Sequence, residues 1–64
     1  MEFKQIYSSS MIDKVGYKDG DLVVVFNNGK KVNYYNVPES VYNNFINAES
    51  LGRYYNVHIK GKYS

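Results

Sequence analysis

The sequence contains no cysteine, no tryptophan, one proline and one histidine in 64 residues. Without cysteine, neither a disulfide scaffold nor a thiolate metal site can form, and one histidine cannot build a zinc site by itself. The longest apolar run, residues 22–26, is only five residues long, whereas a membrane-spanning helix needs about 20. The first ten residues lack the apolar segment of a signal peptide. We therefore expect a cytoplasmic protein with no metal, no cofactor and no membrane contact.

The chain is long enough for one small domain. A protein of this size buries only about 60% of the surface that its unfolded chain exposes, so its stability is expected to be marginal. The sequence shows no internal repeat and no linker rich in proline or glycine. We therefore predict a single domain over residues 1–64.

Two dipeptides typical of tight hairpins, Asp19-Gly20 and Asn28-Gly29, lie between runs rich in Val, Ile, Phe and Tyr. They predict three strands, at about residues 12–18, 21–26 and 30–36. Consecutive strands joined by tight turns are antiparallel, so the predicted sheet is a meander.

The apolar residues decide between two registers at the second turn. A two-residue loop at Asn28-Gly29 would divide the apolar side chains between both faces of the sheet. A three-residue loop over 27–29, with Gly29 in a left-handed conformation, gathers them on one face, as does a two-residue loop at Asp19-Gly20. The pairs predicted in this way are Leu22 with Tyr34, Val24 with Val32, Phe26 with Lys30, Tyr17 with Leu22 and Val15 with Val24.

Two helical patterns follow the strands. Pro38 and Glu39 suit the start of a helix, in which Val41, Phe45 and Ala48 recur at i, i+4 and i+7.

Ser50 is a suitable N-cap for a second helix. The apolar and aromatic residues after it recur at i, i+3, i+4, i+7 and i+8, as Leu51, Tyr54, Tyr55, His58 and Ile59. Gly52 weakens that helix by about 1 kcal/mol relative to alanine, and the alternation of Tyr55, Val57 and Ile59 is compatible with a strand instead. Helix is the preferred interpretation.

These elements predict an α+β fold, a three-stranded antiparallel meander sheet with two C-terminal helices packed on one face. Ile12 does not follow the alternation, which indicates a bulge between Asp13 and Val15. The sequence does not place Phe3 and Ile6. The opposite, open face would carry Lys14, Gly16, Val23, Val25, Lys31, Asn33 and Tyr35. The predicted core is Ile12, Val15, Tyr17, Leu22, Val24, Phe26, Val32, Tyr34, Val41, Phe45, Ala48, Leu51, Tyr55 and Ile59.

A set of short motifs, in this order and spacing, resembles the KTSC domain. The motifs are Ser9-Ser10 with Ile12, Val15-Gly16-Tyr17, Leu22, Val24, Phe26, Gly29, Tyr34, Val37-Pro38, Ala48, Ser50, Gly52, Tyr54-Tyr55-Asn56 and Ile59. The family's central Tyr-x-Tyr is represented here by Val32-Asn33-Tyr34, and the first hairpin is short for the family. The domain occurs alone in bacterial and phage proteins and at the C-terminus of some lysyl-tRNA synthetases. The resemblance implies a small accessory module that binds RNA.

The sequence offers little for catalysis, so we do not expect an enzyme. Its six carboxylates are scattered, and no glycine-rich phosphate-binding loop is present, since Gly16, Gly20 and Gly29 lie at turn or strand positions. His58 lies on the predicted apolar stripe, which indicates a partly buried structural role.

Positive charge is concentrated late in the chain. Residues 1–29 hold three lysines against four carboxylates, a net charge of −1, whereas residues 30–64 hold five cations against two carboxylates, a net charge of +3. Cations beside aromatic rings and amides suit single-stranded nucleic acid, because rings stack on bases and cations neutralise phosphates. The residues predicted to bind RNA or single-stranded nucleic acid are Arg53, Tyr54, Asn56 and Lys60, with Lys31 and Tyr35 on the open sheet face.

A protein-interaction module, or a small homodimer, is the alternative function. Val23, Val25 and Tyr35 on an uncovered sheet face would form an apolar patch, and such patches often mark association sites. The edge strands of a meander can also pair with another chain.

Overall fold

The computed structural model describes residues 3–7 and 9–63, so both ends of the predicted 1–64 domain lie outside the described residues. The elements, in chain order, are β1 (Phe3–Gln5), β2 (Ile12–Lys18), β3 (Asp21–Phe26), β4 (Lys31–Tyr34), α1 (Glu39–Ile46), α2 (Leu51–Tyr54) and a π-helical turn (Tyr55–Ile59). The α+β class, the antiparallel meander and the two C-terminal helices are as predicted.

The sheet has four strands rather than the three predicted, in the order β1-β2-β3-β4. The additional strand, β1, is antiparallel to β2, with Phe3 opposite Gly16 and Gln5 opposite Lys14. Its three residues are all exposed. A strand this short shows no alternation of apolar and polar residues, so only its pairing with β2 reveals it.

The predicted register is confirmed along both hairpins. Leu22 lies opposite Tyr34 and Val24 opposite Val32, and across the first turn Tyr17 pairs with Leu22 and Val15 with Val24. Gly29 adopts a φ of +90°, as the three-residue loop requires. The expected irregularity in β2 is present, since the register shifts between Ile12 and Lys14.

The last strand is shorter than predicted, because β4 ends at Tyr34 rather than residue 36. Asn36 has a φ of +58°, which turns the chain out of the sheet. The next amide, Val37 N–H, donates to the carbonyl of Gly20 at 2.9 Å, and the Tyr17 hydroxyl donates to the Val37 carbonyl at 2.5 Å. These bonds attach the start of the helical layer to the first hairpin.

The second helix is interrupted. Ser50 caps it as predicted, its hydroxyl accepting from the Arg53 amide at 3.3 Å. After Tyr54 the backbone widens into the π-helical turn, in which Lys60 N–H donates to the Tyr55 carbonyl at 2.8 Å. The strand alternative for this segment is wrong. Gly52 has a packing role, because a Cβ there would lie 3.1 Å from Cε of Met11.

The core lies between the helices and one sheet face, and most of its members were predicted. Ala48 is half-buried rather than part of the core, and the prediction missed Ile6 and Val37, which lie outside the regular elements. Tyr17, Phe26, Val32 and Val41 are partly buried at the margin. The buried cluster comprises Ile6, Ile12, Val15, Leu22, Val24, Tyr34, Val37, Phe45, Leu51, Tyr55 and Ile59.

Aromatic side chains join the two layers at two places. The Tyr55 ring meets Phe26 edge-on, with centroids 5.3 Å apart, and its hydroxyl shares a buried hydrogen bond of 2.5 Å with the Tyr34 hydroxyl. At the other end of the sheet, Tyr17 stacks on Tyr42 of α1 at 4.7 Å.

Burial of two tyrosine hydroxyls raises their pKa values. The pKa of Tyr34 lies well above its usual range, mainly because of burial and secondly because of the hydrogen bond to Tyr55. Burial also raises the pKa of Tyr42.

We predict strong coupling between Tyr34 and Tyr55 in folding stability. Tyr34→Phe or Tyr55→Phe alone leaves one buried hydroxyl without its partner, at a cost of about 1–3 kcal/mol. The double Phe variant removes both hydroxyls, so its loss of unfolding free energy should be well below the sum of the single losses. Urea denaturation of the four proteins measures this, and additive losses would contradict the prediction.

We also predict a loss of stability at alkaline pH. Because the folded-state pKa of Tyr34 lies above the unfolded value of about 10, its contribution is complete below pH 10 and is lost as pH rises toward the folded-state pKa. Urea denaturation across this range should show the unfolding free energy falling less steeply in Tyr34→Phe than in the parent. Tyr7→Phe, at a position 91% exposed, is the control and should leave the slope unchanged.

Candidate nucleic-acid interface

The six predicted binding residues lie on three different surfaces. Asn56 and Lys60 line one groove, Arg53 and Tyr54 line a second, and Lys31 and Tyr35 lie on the open sheet face. Both grooves border the segment 51–60. The four predicted residues that are close in sequence, Arg53, Tyr54, Asn56 and Lys60, are therefore divided between two grooves, because the side chains of one helical segment project to different sides of it.

The first groove, which we call the lysine groove, lies between the β3–β4 turn and the π-helical turn. It encloses about 460 Å³. No carboxylate is among the described residues that line it, although two lysines are. The polar and aromatic residues that line it are Ser10, Phe26, Asn27, Asn28, Lys30, Tyr55, Asn56 and Lys60.

Local hydrogen bonds hold the turn side of the lysine groove. Asn28 Oδ1 accepts from the Lys30 amide at 2.9 Å, and Asn27 Nδ2 donates to the Ser10 carbonyl at 2.6 Å. On the opposite wall, Asn56 lies in the π-helical turn and Lys60 directly follows it, with the Lys60 amide bonded to the Tyr55 carbonyl. The groove therefore has two cations and several amides attached to an ordered backbone.

The second groove, which we call the histidine groove, encloses about 420 Å³ and is lined by Glu49, Ser50, Arg53, Tyr54, Val57 and His58, with Ala48. Three aromatic rings form a column that ends in this groove. Phe45 is fully buried, the Tyr54 ring stacks on it at 5.8 Å, and the His58 ring lies 4.5 Å from that of Tyr54. The column therefore leads from the core to the surface.

His58 is exposed, so the prediction of a partly buried structural histidine is wrong. The stripe of apolar positions directs Leu51, Tyr55 and Ile59 inward, while Tyr54 and His58 lie at its margin. The i, i+4 spacing of Tyr54 and His58 was visible in the sequence. The stacking of Tyr54 on Phe45 depends on how the two helices pack, which the sequence does not show.

The open sheet face differs from the predicted apolar patch. Val23 is only 7% exposed, whereas Phe3 of the additional strand is 42% exposed and Tyr35 is 52% exposed. Nζ of Lys14 lies 5.4 Å from the Phe3 ring centroid. The exposed apolar surface of this face is thus supplied by two rings at its margins rather than by the central valine.

Neither a membrane span nor a metal cluster is found in the part of the chain that the structure describes. None of its helices is both long and apolar enough to cross a bilayer. Within residues 3–7 and 9–63, no three His, Cys, Asp or Glu side chains come together as a metal site would require.

Comparison with known proteins decides the family. The KTSC domain matches residues 8–63 of the sequence. The chain belongs to the KTSC domain family. The crystal structure of a KTSC domain protein from Yersinia pestis is similar at a TM-score of 0.92 and 34% identity, over 98% of this chain and 90% of that one. None of the curated proteins matches this sequence significantly. The family resemblance of the sequence motifs is thereby confirmed.

Proposed function

We propose that this KTSC domain is a non-catalytic accessory module that binds single-stranded nucleic acid, in particular RNA, with phosphates held in the lysine groove. The observation that carries the proposal is that Lys30 and Lys60 both line a groove whose described lining contains no carboxylate. An anion between these side chains would meet two cations and no like charge.

The amides of the lysine groove suit the rest of a nucleotide. Asn28 and Asn56 offer donors and acceptors to sugar hydroxyls and base edges. Phe26 adds apolar surface at the same site. The net charge of +2 is small, so the electrostatic contribution has to come from local placement of cations rather than from the charge of the whole domain.

We predict salt-dependent binding of labelled single-stranded RNA, measured by fluorescence anisotropy. The logarithm of the affinity should fall linearly with the logarithm of salt concentration, by about 0.7 for each phosphate contact. Lys30→Gln and Lys60→Gln should each weaken binding about fivefold at low salt and reduce the slope by about 0.7.

Lys18→Gln is the matched control, because Lys18 is exposed and lies at the end of the sheet remote from the lysine groove. It removes the same charge and should leave the slope nearly unchanged. Equal effects of all three substitutions would show that only net charge matters. No measurable binding at low salt would reject the proposed function.

Self-association through the open sheet face is a second candidate function. The exposed rings of Phe3 and Tyr35, which line the same shallow pocket as Val23, favour it. If it is correct, sedimentation over a range of concentrations should show a dimer, and Tyr35→Lys should shift the population toward monomer. A strict monomer at every concentration would contradict it.

A further inference from the structure

The aromatic column of the histidine groove ends in an exposed ring whose position is set by the core. Phe45 is fully buried, and the chain of ring contacts through Tyr54 restrains His58. A ring already held in place loses little conformational freedom when a ligand binds. The exposed face of the His58 ring is therefore preorganised to stack against a planar ligand.

Because the proposed function is the binding of single-stranded RNA, the planar ligand expected here is a nucleobase. Stacking of one base on an aromatic side chain typically changes affinity by about tenfold or more. Both grooves border the segment 51–60, with Asn56 and Lys60 toward the lysine groove and Arg53 and His58 toward the histidine groove. One bound strand could therefore place phosphates in the lysine groove and a base in the histidine groove.

The exposed carboxylate of Glu49 lines the histidine groove, where its hydrogen-bonding capacity would favour some bases over others. A carboxylate only accepts hydrogen bonds, and two parallel bonds to it are stronger and more selective than one. Guanine presents two adjacent donors, the N1–H and the N2 amino group. Adenine and cytosine place an acceptor nitrogen beside their amino group, and uracil has one N–H between two carbonyls.

We propose that the histidine groove binds a guanine base of single-stranded RNA, stacked on His58, with Glu49 accepting hydrogen bonds from the N1–H and the N2 amino group. Arg53, in the same groove, neutralises a neighbouring phosphate. The inference rests on the proposed function and assigns base selection to a site separate from the lysine groove.

The test compares labelled oligouridines of equal length that carry one central guanosine, inosine, adenosine, cytidine or uridine. The guanosine oligonucleotide should bind about tenfold more tightly than the uridine one, as expected for a bidentate base contact. Inosine retains the N1–H and lacks the N2 amino group, so its affinity should fall between those two. Anisotropy at one salt concentration holds the phosphate contribution constant.

Two pairs of variants test the roles of the side chains. Glu49→Gln should reduce the guanosine preference to about twofold or less, whereas Glu39→Gln, an equal change of charge in α1, should preserve it. His58→Ala should weaken binding of every oligonucleotide about tenfold. His58→Phe retains an aromatic surface and should restore most of that loss.

The outcomes separate the inference from the proposed function. Salt-dependent binding without guanosine preference, or a preference unchanged in Glu49→Gln, overturns the guanine site and leaves the proposed function in place. Binding that is lost in His58→Phe as fully as in His58→Ala would contradict stacking. Absence of binding to all five oligonucleotides would reject both.

Discussion

The packing of Tyr55 between the sheet and the helical segment is the interaction on which the rest of the structure depends. Its ring meets Phe26 and Tyr34 edge-on, and its hydroxyl bonds to that of Tyr34. A two-layer domain without disulfides relies on such noncovalent contacts to keep the layers in register. The same contact places the π-helical turn beside the β3–β4 turn, and the lysine groove is the space that remains between them.

The packing of the core therefore determines which residues line the two grooves. Tyr55 and Ile59 point inward from the π-helical turn, so Asn56, Val57 and Lys60 are left outside. Phe45 supports the aromatic column from within the core, and the surface position of His58 follows from this support. A change in the core would therefore also alter the shapes of the grooves, because both are built on the same side chains.

The parts of the fold that were predictable share a local physical cause. Strand pairing followed from period-two alternation combined with turn chemistry, because only a left-handed Gly29 brings Leu22, Val24 and Tyr34 to one face. The start of the second helix followed from the Ser50 cap. Strand β1 carried no comparable signal, since its three residues are exposed and acquire order only by pairing with β2.

The candidate site was only partly predictable in composition, since Lys30, Glu49 and His58 were not among the predicted binding residues, and its arrangement was not predictable. Arg53, Tyr54, Asn56 and Lys60 are close in sequence, but the helix sends them to two grooves, and Lys30 joins Lys60 only through the packing of layers. The sequence by itself determined the fold class, the register of the two hairpins and most of the core, because local periodicity and turn geometry encode them. Only the tertiary structure decided the fourth strand, the exposure of His58 and the placement of Lys30 and Lys60 in one groove, because each depends on how segments far apart in the chain pack together.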